Sequence, residues 1–258
     1  MMLWIESQDT AVIALLVFAL CYAIAGAILF VASVISRHRI AADLKVLTPV
    51  LLTPLSVIAG LLIAFLASRV WANLDRANAY VAQEANAISE IVLFAGALPE
   101  ATRGAVRAGL QKHLQFIEAE DWPAMLAGHA SVGRLPPGLM EAKIALLAVS
   151  AKDSGQRIAQ ERAVGALERA LEARRGRILL SSAVVAPAQW MVIFALDALI
   201  LTTLAMVHID RRVTAAAGMF VFSTAVAACL VLLMINDRPF SFGGFIVQPD
   251  ALRQVGLE

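Results

Sequence analysis

The sequence predicts an all-α membrane protein, with four transmembrane helices in two hairpins and an extramembrane helical-bundle domain between helices two and three. Three observations predict it. The chain of 258 residues is 60% hydrophobic and 16% charged, with a mean hydropathy of +0.77. Soluble domains are about 45–50% apolar and about 25% charged. Four uncharged runs are long enough to cross about 30 Å of hydrocarbon. The stretch between the second and third runs repeats its apolar residues at the three/four spacing of amphipathic helices.

The first run is Ala11–Ser36. It follows an acidic tail with Glu6 and Asp9, and it exceeds the roughly 7–15 apolar residues of a signal peptide, so it stays as a membrane helix. The second run is Val46–Ser68, the third lies within Ile178–Val207 and contains Asp197, and the fourth is Val213–Ile235. Backbone groups find no water in lipid, so these runs are helical. Short turns, Arg37–Lys45 and His208–Arg212, join them in pairs. The predicted divisions are residues 1–70 for the first hairpin, 71–180 for the helical domain, and 181–258 for the second hairpin with a C-terminal tail.

Within the middle stretch, Trp71, Leu74, Ala77, Val81, Ala85, Ile88 and Val92 mark one helix, which Gly96 and Pro99 stop. The next starts near Pro99 and Glu100 and carries Val106, Leu110, His113, Leu114 and Ile117. Asp121-Trp122-Pro123 is expected to break it. Residues 128–138 read as a loop, and 139–149 as a short helix. Asp153 or Ser154 caps a long helix through Ile158, Val164, Leu167, Leu171 and Ile178. Its alternating charges, Glu161 to Glu172, read as a solvated face.

Several functions are disfavoured. With 21 basic and 20 acidic residues there is no basic excess for nucleic acid. Cys21 and Cys229 sit in apolar runs, and His38, His113, His129 and His208 form no metal-ligand spacing, so no cofactor or metal is expected. The motifs of zinc hydrolases, serine hydrolases and nucleotide-binding loops do not occur, and the chain does not read as an enzyme. Glu118, Glu120 and Asp121 read as a solvated helix end.

Three features could carry function. In helix two, Ser56, Gly60, Ala64 and Ser68 recur every four residues, which permits close helix approach. This face either packs tightly in the bundle or lines a path at an oligomer axis, with Thr48, Thr53 and Ser56 supplying hydroxyls. Pro49 and Pro54 are expected to bend this helix. Asp197, alone near the middle of helix three, is either an ion or proton site or a carboxyl hydrogen-bonded to Thr202, Ser223 or Thr224. After helix four, Asp237, Pro239 and Phe240 begin a turn that continues through Ser241-Phe242-Gly243-Gly244-Phe245. That turn lies at the membrane interface or folds back on the bundle.

Val70-Trp71, Val81-Ala82-Gln83-Glu84-Ala85-Asn86-Ala87, Leu98-Pro99 and Asp121-Trp122-Pro123-Ala124-Met125 follow in order. Arg174-Arg175-Gly176-Arg177, Pro187 with Trp190, and Asp237-Arg238-Pro239-Phe240 leading to Val247-Gln248-Pro249 complete the set. In these the chain resembles the bacterial bestrophin-like membrane domain family, a domain of unknown function. It departs from that family in having Lys45, then Thr48 and Pro49, where members often carry an acidic or amide residue. More loosely it is similar in layout to bestrophins, pentameric anion channels in which the second of four helices lines the pore. The resemblance implies a homo-oligomeric ion channel in the bacterial inner membrane, with lipid, further copies of the chain and inorganic ions as partners. The alternative is a non-conducting receptor or scaffold whose helical domain binds a ligand or partner. Bestrophin architecture would put the helical domain in the cytosol. The Arg and Lys residues of the two short turns instead predict that those turns are cytoplasmic, with the domain and both termini on the outer face.

Overall fold

The computed structural model describes residues 10–35, 40–240 and 247–255, with the backbone alone for residues 35 and 40–49. Among the described residues the chain is helical, without strands. The helices are α1 (Thr10–Ile35), α2 (Ile40–Ala95), α3 (Glu100–Phe116), α4 (Trp122–Leu126), α5 (Pro137–Leu147), α6 (Ser154–Ser181), α7 (Pro187–Val207), α8 (Arg212–Asn236) and α9 (Asp250–Arg253). A π-helical turn, Ile117–Asp121, joins α3 to α4. α1, α2, α7 and α8 are long and apolar enough to cross a membrane.

The described residues fall into two compact units. Residues 10–71 and 184–237 form the first, and residues 72–183, 238–240 and 247–255 the second. The 56 residues of α2 pass through both. At about 1.5 Å per residue that helix exceeds the hydrocarbon thickness nearly threefold. Its uncharged part ends at Ser68, and Arg69, Asp75 and Arg76 follow. Only the first part can lie in lipid. The separate helix expected from Trp71 is therefore a continuation of the second span, which no Pro or Gly interrupts there.

In the first unit α1 packs on both α7 and α8, and these pack on each other. Ile13, Val17, Cys21, Leu66, Val70, Trp190, Ile193, Ala227 and Leu230 form its core. The Tyr22 ring stacks on Phe220 at 5.3 Å, and its hydroxyl pairs with Thr224 at 2.9 Å. Expected somewhere within Ile178–Val207, the third span starts at Pro187, a residue suited to a first helical turn. Residues Ile178 to Ser181 instead close α6.

In the second unit Ala77, Val81, Ala85, Ile88 and Ile91 of α2 share a core with Leu110, Leu139, Ala163, Ala166, Leu167 and Ala170. α6 buries alanines, and Ile158, expected on the inner stripe, is 58% exposed. Small side chains let helix axes approach more closely. A Cβ on Gly176 would come within 2.5 Å of the Tyr80 ring. α3 and α5 cross closer still: a Cβ on Gly138 would lie 2.2 Å from the Gly109 carbonyl oxygen and 2.5 Å from the His113 nitrogen. Asp153 is the cap of α6, its carboxylate accepting from the Gln156 N–H at 2.8 Å.

Candidate functional site

Five ionisable side chains meet inside the second unit. Glu84 comes from α2, His113 from α3, Asp121 from the π-turn, and Arg174 and Arg177 from α6; all are buried. The helix expected to break at Asp121-Trp122-Pro123 bends through the π-turn and runs on to Leu126. Pro123 has no N–H to give, and the Trp122 N–H bonds back five residues to the Ile117 carbonyl. The wider turn leaves Glu118 and Glu120 on the surface, paired with Arg253 and Arg134, and puts Asp121 inside. The reading of Asp121 as solvated is thereby corrected; for Glu118 and Glu120 the surface placement is what the structure has.

The pairing is nearly saturated. Arg174 holds Asp121 with two parallel bonds, Nε to Oδ2 at 2.6 Å and Nη2 to Oδ1 at 2.7 Å. Arg177 donates from Nε to Glu84 Oε2 at 2.9 Å, and from Nη2 to Glu84 Oε1 and Asp121 Oδ2, both at 3.4 Å. His113 Nε2 lies 3.1 Å from Glu84 Oε1, while its Nδ1 has no partner among the described residues. Two guanidinium groups thus balance two carboxylates, and the His113 ring adds a further contact to Glu84. Burial pushes the Glu84 carboxyl up, but the Arg177 guanidinium beside it and the His113 contact outweigh this and hold it below its usual 4.5. Aromatic rings close the cluster: Arg177 lies 5.4 Å over Trp122, Arg174 lies 5.7 Å from the Phe116 centroid, and Phe240 meets Trp122 edge-on at 5.6 Å.

Such a cluster fixes four segments of chain against one another. It exposes no donor or acceptor set to solvent. Among the described residues no group of three His, Cys, Asp or Glu side chains could hold a metal ion.

Directly after α8, Asp237, Pro239 and Phe240 are buried. Asp237 accepts the Val185 N–H at 2.9 and 3.1 Å, tying the end of α8 to the approach to α7. The Pro239 carbonyl accepts from the Val247 N–H at 3.1 Å, and Phe240 is 1% exposed. Ser241 to Phe245, where the sequence predicts the turn to continue, lie outside the described residues.

On α2, Thr53, Gly60, Ala64 and Ser68 are exposed and Ser56 is half-buried. A Cβ on Gly60 would meet nothing within 4 Å. The Thr48 and Pro49 side chains lie outside the described residues. Asp197 is 3% exposed, and neither of its carboxylate oxygens has a partner among the described residues. Thr202 and Thr224 turn their hydroxyls to their own helix, onto the Ala198 and Phe220 carbonyls, and the buried Ser223 hydroxyl has no partner among the described residues.

The bestrophin-like domain family matches residues 18–252. The chain belongs to the bestrophin-like family. No curated protein and no solved structure matches it. Most of the stretches that carry the resemblance converge on the buried cluster of this bestrophin-like chain: Glu84, Asp121 with Trp122, Arg174 with Arg177, and Phe240. Sequence reasoning did not join them into a site. A signal was present, because Glu84, His113, Arg174 and Arg177 each occupy a position on an apolar or alanine stripe, where a charge must find a partner or be expelled.

Proposed function

We propose that the chain is a homo-oligomeric ion channel or pore of the bacterial plasma membrane, its path lined by the α2 face that carries Thr48, Thr53, Ser56, Gly60, Ala64 and Ser68. One observation carries the reading: α2 is the span least covered by its own chain. Of its apolar window 6% is buried, against 44% for α7. Lipid suits its large side chains, among them Val50 and Phe65, which are 73% and 71% exposed. It offers no partner to hydroxyls and little contact to glycine. Copies of the chain arranged about an axis would cover that face and let water reach the hydroxyls.

The test is conductance of the purified chain in planar bilayers. Wild type conducts, and Gly60→Trp, which has open space in the single chain, blocks or narrows the path. Wild-type bilayers silent to both cations and anions would overturn the proposal and favour the receptor reading. The charge of the short turns supports a domain on the outer face. An impermeant maleimide should then label Gly133→Cys on intact cells, and protection of that cysteine would reverse the orientation.

A further inference from the structure

We propose that the first unit holds an anionic phospholipid at the end of the α7–α8 hairpin. A cavity of about 320 Å³ opens there between α1 and the hairpin. Its wall is apolar, built by Gly26, Leu29, Phe30 and Ile209, and its mouth carries His208 and Arg212. The mouth lies at the membrane surface, because α7 ends at Val207 and α8 begins at Arg212. From Ser33 down to Gly26 the α1 wall descends seven residues, about 10 Å along the helix. A headgroup at the mouth therefore has room below it for the first part of an acyl chain.

The charge pattern selects the headgroup. Arg212 donates from Nη2 to the Ser33 carbonyl at 3.4 Å, which leans the guanidinium across the mouth and leaves other N–H groups to face a phosphate. Arg211 adjoins it in sequence and is exposed. The only gain over bulk lipid comes from this charged end, because an acyl chain is as well solvated by other tails as by leucine. Zwitterionic and anionic lipids of equal chain length should thus differ, by about fivefold for one arginine at a membrane surface.

Native mass spectrometry of the full chain, titrated with phosphatidylglycerol or phosphatidylcholine of identical chains, tests this. Wild type retains phosphatidylglycerol preferentially. Arg212→Gln removes most of that preference. Gly26→Phe fills the wall from below and lowers retention of bound lipid; a Cβ there meets nothing within 4 Å, so the variant should fold. Excess inorganic phosphate displaces nothing. Equal retention of the two lipids by wild type overturns the proposal. So does phosphatidylglycerol retention unchanged in both variants, when circular dichroism shows them folded. Displacement by inorganic phosphate also overturns it, since that marks a simple anion site.

Discussion

Replacing Arg177 by methionine should unfold the second unit more readily than any surface change in the chain. Methionine keeps an unbranched apolar stem against Trp122 and Met125 and removes only the charge and its donors. Glu84 then loses its bond at 2.9 Å and its weaker one at 3.4 Å, keeping His113 alone. Asp121 loses one bond at 3.4 Å and keeps both bonds from Arg174. The dominant effect is thus one buried carboxylate left without a counter-charge. Breaking a buried pair in this way costs about 3–5 kcal/mol. For a unit of this size that lowers the unfolding midpoint by roughly 10–20 °C. Thermal unfolding of the full chain in detergent measures the shift, and hydrogen exchange across residues 81–95 and 170–181 locates it.

A second change separates charge from packing. With Glu84→Gln added, the amide oxygen still accepts from His113 and no charge is left over. The double variant should recover at least about 2 kcal/mol of the single variant's loss. A loss under about 1 kcal/mol for Arg177→Met refutes the reasoning. So does a double variant no more stable than the single one, since packing and not charge would then hold α6 in place.

Gly138→Ala drives a methyl into the Gly109 carbonyl and the His113 backbone, and should cost at least about 1–3 kcal/mol in thermal unfolding, whereas Gly104→Ala, with nothing within 4 Å, should gain about 0.5–1 kcal/mol. Asp197→Leu removes a buried carboxyl with no partner among the described residues and should stabilise the chain by about 1–3 kcal/mol; a lower midpoint would show that the carboxyl is bonded in the membrane. For pH, the folded state holds a proton on Glu84 less readily than the unfolded chain does. Its contribution to stability is therefore complete above pH 4.5 and is lost as pH falls through the depressed folded value. Glu84→Gln should flatten that acid limb of the stability curve, and an unchanged limb would assign the acid loss to other carboxylates.

The spans were legible because lipid permits few alternatives. The predicted Val213–Ile235 and the observed Arg212–Asn236 differ by one residue at each end. The stop at Gly96 and Pro99 was legible for a local reason, and α2 ends at Ala95. Less legible was α6, where Leu167 and Ile178 of the expected stripe are buried but Ile158 is exposed, and alanines make up most of the remaining inner face. Alanine is apolar enough to bury and too small to stand out in a pattern of large side chains. The π-turn escaped for a different reason. Asp-Trp-Pro signals the end of a regular helix, yet one wider turn satisfies the same backbone demand and sends Asp121 to the opposite side. Buried charges are the hardest to read from sequence, because each is improbable alone and becomes stable only beside partners that lie far along the chain. Arg177 is 93 residues from Glu84 and 56 from Asp121.

The same packing bears on the stretches in which the resemblance is read. Glu84, Asp121, Trp122, Arg174, Arg177 and Phe240 lie inside the second unit, where each touches another member of the set. A sequence that alters one of them leaves a buried charge or a gap, so these positions report on the fold of the helical domain. The proposed α2 face would work under looser demands. If it lines a path, Thr53, Gly60, Ala64 and Ser68, of which none is buried, would need only be small or hydroxylated. Membership of the bestrophin-like family, matched over residues 18–252, speaks to the architecture of the chain, and conduction has to be measured on the proposed α2 face. Gly60→Trp and Arg177→Met separate the two: the first should alter conductance with the unfolding midpoint unchanged, and the second should lower the midpoint.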